Sequence, residues 1–138
     1  MKRIITIAVF AFTSILSINK ASAQVRGVEV NVPFNFTAND KLLPAGTYTI
    51  TLPSSGVIEI RNRARHISMA SVVLPDSRQS EHGGELVFTK YGNRYFLREI
   101  LCDYASMNVH LPTTKSEEWA RTQEAMVQNT SQILLAAK

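Results

Sequence analysis

The chain has 138 residues, 45% of them hydrophobic, with 15 Lys and Arg against 11 Asp and Glu. The basic excess is uneven: Lys2, Arg3 and Lys20 all precede the first acidic residue, Glu29. Beyond residue 23 the balance is 12 basic side chains against 11 acidic ones, a net of +1. Binding nucleic acid takes a basic face of real size, and so nearly neutral a domain argues against it.

Residues 1–23 read Met-Lys-Arg, an apolar run from Ile4 to Ile18, and then Asn19-Lys20-Ala21-Ser22-Ala23. A basic start, a short apolar stretch and an Ala-x-Ala site, in that order, predict a secretory signal peptide cut between Ala23 and Gln24. The apolar run is 15 residues long and carries Thr6, Thr13, Ser14 and Ser17. A membrane-spanning helix takes about 20 apolar residues. A buried helix of the domain would leave the basic and small-residue flanks unexplained. Residue 24 is Gln and not Cys, so a lipid anchor has no attachment point. The expectation is a secreted or periplasmic protein, without a transmembrane span once the signal is cleaved. Residues 24–138 are then a single β-rich domain.

A chain of that length buries roughly 65% of its unfolded surface, enough for one core without covalent staples. Cys102 is the only cysteine, so no intramolecular disulfide forms. It reads as a small buried hydrophobe at a strand end.

The first segment alternates: Val28, Val30, Val32, Phe34 and Phe36 against Glu29, Asn31, Pro33 and Asn35. Period two means a strand with one buried face. Pro33 cannot donate to a ladder, which places this strand at an edge or a bulge. Asn39-Asp40 is turn chemistry. Tyr48, Ile50 and Leu52 alternate with Thr47, Thr49 and Thr51 in a second strand, opened by Pro44 and Gly46 and closed by Pro53-Ser54-Ser55-Gly56. A third strand spans 57–62 and a fourth 66–74, joined by Asn62-Arg63-Ala64-Arg65. Residues 75–84 form a polar loop. Gly92-Asn93 between ELVFTKY and RYFLREI predicts a tight hairpin. With Tyr91 opposite Arg94, an unbroken ladder sets Glu99 opposite Leu86, on the face of Phe88 and Leu97. A short strand over 106–111 follows. Beyond Pro112, Thr114-x-x-Glu117 is a capping box. Trp119, Met126 and Ile133 recur every seven residues. That spacing predicts a helix over about 115–135, docked through Trp119. The whole is an all-β fold: one antiparallel sandwich or partly open barrel of six or seven strands, closed by a C-terminal helix.

Chemistry is sparse. His66, His82 and His110 are dispersed, and no His-x-His or Cys-x-x-Cys pair indicates a metal. There is no Gly-x-Ser-x-Gly elbow and no phosphate-cradling glycine loop. No catalytic residue, cofactor-binding residue or metal ligand is assigned, and no cofactor is expected.

Two features remain. Arg61, Arg63, Arg65 and His66 gather at one hairpin tip, as a candidate site for an anion or an acidic partner, although sheets also use charged turns to blunt edge pairing. Glu99, set on an apolar face, is a candidate cavity acid; the alternatives are a rim position or a basic partner.

The segments VNVPFNF, DKLLPAGTYTI, ELVFTKYGNRYFLREI and LPTTKSEEWAR, in this order behind a signal peptide, resemble a family of small uncharacterised secreted bacterial proteins. The likeness covers most of residues 28–123. It implies a single β domain and a bacterial envelope location, and it carries no catalytic residues. The leading functional expectation is a non-enzymatic envelope protein, binding or structural, whose partner is an anionic envelope polymer or an envelope protein. Two other classes stay open: a carrier of a small apolar ligand inside a barrel, and an enzyme acting on envelope carbohydrate through an acid such as Glu99.

Overall fold

The computed structural model describes residues 27–126 and, through the backbone alone, 130–136. The expected signal peptide and cleavage site fall on residues outside those described. The fold is an all-β sandwich with one C-terminal helix. One sheet has the order β1-β4-β5-β6, from Gly27–Val32, Gly46–Ser54, Val57–Asn62 and Ile67–Val72. The other has the order β11-β8-β9-β10-β7, from Thr130–Ala136, Glu85–Tyr91, Arg94–Cys102, Met107–His110 and Leu74–Pro75. A short hairpin of β2 (Phe36–Ala38) and β3 (Lys41–Leu43) joins the second sheet where Thr37 lies parallel to Phe96. Every other pairing is antiparallel.

The core follows from the alternation. Val28, Val30 and Val32 of β1, Tyr48 and Ile50 of β4, and Ile58 and Ile60 of β5 are buried together with Leu86, Phe88, Leu97 and Ile100 from the facing sheet. Each such side chain contributes roughly 1.5–3 kcal/mol on burial. Cys102 ends β9 as a free, fully buried thiol. Asn39 and Asp40, at φ 46° and 62°, make the two-residue turn between β2 and β3. Positive φ at both positions is the primed turn that suits strand twist.

Three expectations need correction. The expected strand over 66–74 divides at Val73. The Val73 N–H donates to the Gly56 carbonyl at 2.9 Å and its side chain is buried. There the chain leaves the first sheet, and β7 pairs with β10 in the second. The β8–β9 ladder also does not run unbroken. It shifts between Val87 and Phe88, so Glu99 lies opposite Val87, and Leu86 lies opposite Ile100. A bulge adds one residue to one strand and turns everything beyond it to the other face.

The third correction is the helix. It spans Lys115–Ala125, and the chain then forms β11 against β8. The free edge of β8 offers seven paired positions to a Thr-Ser-Gln-Ile-Leu-Leu-Ala segment. A ladder of that length outweighs a weak helical stripe interrupted by Asn129 and Thr130. The helix, α1, does not dock through Trp119, which is 59% exposed. It buries Glu117, Ala120 and Glu124 instead. Arg98 donates to Glu117 Oε2 at 3.0 Å and to Thr113 Oγ1 at 3.1 Å. The Thr114 hydroxyl accepts from the Glu117 N–H as the capping box requires. Burial raises the Glu117 pKa, opposed by the Arg98 charge and hydrogen bond.

Gly46 opens β4 against the buried amide of Asn62; a Cβ there would lie 2.7 Å from Asn62 Nδ2. Gly46→Ala is expected to lower unfolding stability by about 1–3 kcal/mol, the range of an overpacked site. Urea denaturation of the purified domain checks this, and an unchanged midpoint would show that Asn62 shifts freely.

Candidate functional site

The β5–β6 turn is built by Asn62. Its side chain is 2% exposed, and its Oδ1 accepts the Arg65 N–H at 3.0 Å. This side-chain-to-backbone bond imitates a backbone turn and fixes the loop. β5 ends at Asn62 and β6 begins at Ile67, a directly paired position, so residues 63–66 project as a four-residue tip. His66 closes the tip at φ 54°, and its N–H reaches the Arg63 carbonyl at 3.4 Å. That left-handed position favours Gly or Asn, and another L-residue there costs roughly 1–2 kcal/mol.

Arg61, Arg63, Arg65 and His66 are all exposed. The structure therefore brings together the four residues expected from sequence, with one distinction. Arg61 Nη2 lies 2.7 Å from Glu59 Oε1 across the outer face of the sheet. Arg63 and Arg65 have no carboxylate within ion-pair distance among the described residues. Arg61, Asn62, Arg63, His66, Ile67 and Ser68 line an open depression of about 430 Å³ beside the tip. The result is a cationic, solvent-facing loop with a shallow hollow beside it.

Glu99 does not join that site. The bulge turns it onto the outer face of the second sheet, where Arg78 Nη1 donates to its Oε2 at 2.6 Å. It is the basic-partner alternative that the structure realises. Arg78 comes from the loop after β7, whose course is set by short contacts. The Asp76 N–H donates to the Asn108 carbonyl at 2.8 Å and Asp76 Oδ1 accepts from the Arg78 N–H at 2.9 Å.

Further along the same loop a histidine and a glutamate pair. His82 Nδ1 is 2.6 Å from Glu85 Oε1, with Glu85 buried and the imidazole exposed. In the sequence these two belong to the densest local set of acids and histidine, Asp76, Glu81, His82 and Glu85, a composition that more often means a solvated loop than a metal site. Among the described residues no group of three or more His, Cys, Asp and Glu is placed to hold a metal ion. No helix of the described residues is long and apolar enough to cross a membrane.

Compared with known proteins, the chain matches no family model, no curated protein and no solved structure.

Two outcomes follow from this geometry. The hydrogen bond and charge of Glu85 raise the His82 pKa above its ordinary 6.5. A raised histidine pKa adds stability that is fully present below about pH 6.5 and lost as pH rises through the folded value. Imidazole titration by NMR is expected to place the His82 midpoint above the ordinary imidazole value, and Glu85→Gln to bring it back. An unmoved midpoint in the variant would remove Glu85 as the cause. Separately, His66→Gly relieves the left-handed position. It is expected to stabilise the domain by about 0.5–1 kcal/mol once the greater freedom of the unfolded glycine is counted. A lower denaturation midpoint would show that the imidazole makes a stabilising contact.

Proposed function

We propose that this is an exported, non-enzymatic binding protein of the bacterial envelope, and that its tip at Arg63, Arg65 and His66, with Arg61 behind it, engages an anionic partner such as an acidic envelope polymer. The single observation that carries the reading is the pair of exposed guanidiniums, Arg63 and Arg65, without a carboxylate partner among the described residues. They stand on a loop pinned by a buried asparagine. A turn needs only Asn or Gly for its geometry. Holding a histidine in the left-handed region costs stability, and strain of that kind concentrates at functional loops. Arginine suits the partner because its planar fork meets carboxylate or phosphate with two parallel hydrogen bonds. The export signal at residues 1–23 and the resemblance to small secreted bacterial proteins support the compartment.

The two other classes draw less support. An apolar carrier needs room between the sheets, and that space is filled by Phe36, Tyr48, Ile50, Ile58, Phe88 and Ile100, all nearly inaccessible. A carbohydrate-acting enzyme needs a free acid, and Glu99 is engaged by Arg78.

The test is retention of the mature domain on an immobilised acidic glycan such as polygalacturonate, across a salt series. Parent protein is expected to bind and to elute as salt rises, since exposed charges are screened within about 10 Å at 0.1 M. Arg61→Ser, Arg63→Ser and Arg65→Ser combined should abolish retention while leaving the thermal midpoint nearly unchanged, because among the three only Arg61 is in an ion pair and an exposed pair contributes about 0–1 kcal/mol. Equal retention of variant and parent at low salt would return the tip to a solvated turn.

A further inference from the structure

A second concave site lies on the β2–β3 side of the molecule. We propose that the groove lined by Asn35, Thr37, Asp40, Asn93, Arg94 and Ser116 binds a short, linear zwitterion, a free peptide of about three residues, with its carboxylate toward Arg94 and its ammonium toward Asp40. The groove holds about 350 Å³, within the roughly 300–1,000 Å³ of small-molecule sites.

Its shape follows from the pairing. β2 runs parallel to β9 with Thr37 paired to Phe96, and Asn35 and Arg94 each come two residues before that pair. Asp40 lies past the other end of β2, in the turn, where the Ser116 hydroxyl from the start of α1 donates to its Oδ1. Asn35 and Asp40 are five residues apart in sequence, so they are separated by no more than roughly 17 Å. An extended chain advances about 3.3–3.6 Å per residue, so three residues with their terminal charges fit within that reach.

The charges differ at the two ends. The Ser116 and Thr114 hydroxyls hold the Asp40 carboxyl below the usual carboxylate range. It is therefore ionised at neutral pH, and as an exposed side chain it presents its negative charge to the groove, partly offset by the nearby Lys115. Arg94 lies with its guanidinium 5.2 Å from the centre of the Phe96 ring. Among the described residues it makes no ion pair, with Asp40 or any other carboxylate. Asn35 Oδ1 accepts from the Ala45 N–H at 2.9 Å, which orients its amide and leaves Nδ2 to donate to a peptide carbonyl. A fixed anion and an uncompensated cation, separated along one polar groove, match a ligand that carries opposite charges at its ends. A neutral sugar uses neither charge, and a polyanion is opposed by Asp40.

Titration of the mature domain with trialanine, followed by calorimetry and by backbone amide NMR, tests the proposal. Saturable shifts are expected at Asn35, Asn93 and Arg94. N-acetyl-trialanine and trialanine amide should each bind about tenfold more weakly or worse, since each loses a charge-assisted contact. Asp40→Asn keeps a residue that tolerates the left-handed turn. It should erase the difference between free and acetylated peptide while keeping that between acid and amide. Arg94→Gln should do the reverse. No saturable shift at millimolar trialanine would overturn the proposal, as would equal binding of free and end-blocked peptides. Binding of chitotriose with no binding of trialanine would also overturn it, in favour of a saccharide groove. None of these variants alters Arg61, Arg63 or Arg65, so the outcome is read independently of the tip.

Discussion

The two sheets are held in register by a contiguous set of aromatic rings. Phe34 stacks on Tyr95 at 4.1 Å and meets Phe88 edge-on at 5.3 Å. Phe36 meets Phe88 at 5.4 Å and Tyr48 at 5.3 Å, both edge-on. Tyr48 belongs to one sheet, and Phe88 and Tyr95 to the other. Phe34 and Phe36 come from the segment that crosses between them. Offset and edge-on pairs are worth about 0.5–1.5 kcal/mol each beyond the area they bury. They also fix where the crossing segment lies. The Tyr48 hydroxyl then donates to the Pro44 carbonyl at 2.5 Å, which ties the same cluster to the corner that opens β4. The Val-Pro-Phe-Asn-Phe and Pro-Ala-Gly-Thr-Tyr segments are thus one device. The first delivers the rings and the second receives them.

That device explains how much of the fold could be read in advance. Strict alternation from Val28 to Val32 and from Tyr48 to Leu52 needs only one buried face, and the structure buries Val28, Val30, Val32, Tyr48 and Ile50 as the pattern requires. Gly92-Asn93 places its hairpin without reference to the rest of the chain. What was not legible depends on partners distant in sequence. Val73 changes sheet because Gly56 offers its carbonyl. The chain after Ala125 turns to strand because β8 has an open edge. The ladder shifts beside Arg98, which hydrogen-bonds Glu117 and Thr113, 19 and 15 residues further along the chain. No local preference encodes those events, and each overrode a sound local one.

The candidate sites divide in the same way. The arginine tip was legible because a turn lies next to its own residues in sequence, and exposure is the default for a run of charges. The fate of Glu99 was not, because one bulged residue reverses its face. Nor was the groove along β2. It is assembled from a turn at Asp40, a hairpin at Asn93 and a helix start at Ser116, three places separated by most of the domain. Its clue in the sequence, Asn39-Asp40, is indistinguishable from any turn.

The tip and the groove are not independent pieces of surface. The Asn35 amide oxygen binds the Ala45 N–H, and the next residue, Gly46, lies under the Asn62 amide. Asn62 in turn holds the Arg65 N–H. Lys41 from β3 donates to the Ser68 carbonyl of β6 at 3.2 Å, a second link between the same two regions. Side-chain hydrogen bonds at Asn35 and Asn62 thus flank the corner that opens β4, one on the side of the groove and one on the side of the cationic loop. A glycine lets the backbone pass this close to the buried Asn62, whose Oδ1 is engaged by the Arg65 N–H. The corner that the aromatic rings anchor on one side is the one that positions both surfaces on the other, so the packing of Tyr48 and the placement of Arg65 are consequences of the same few residues.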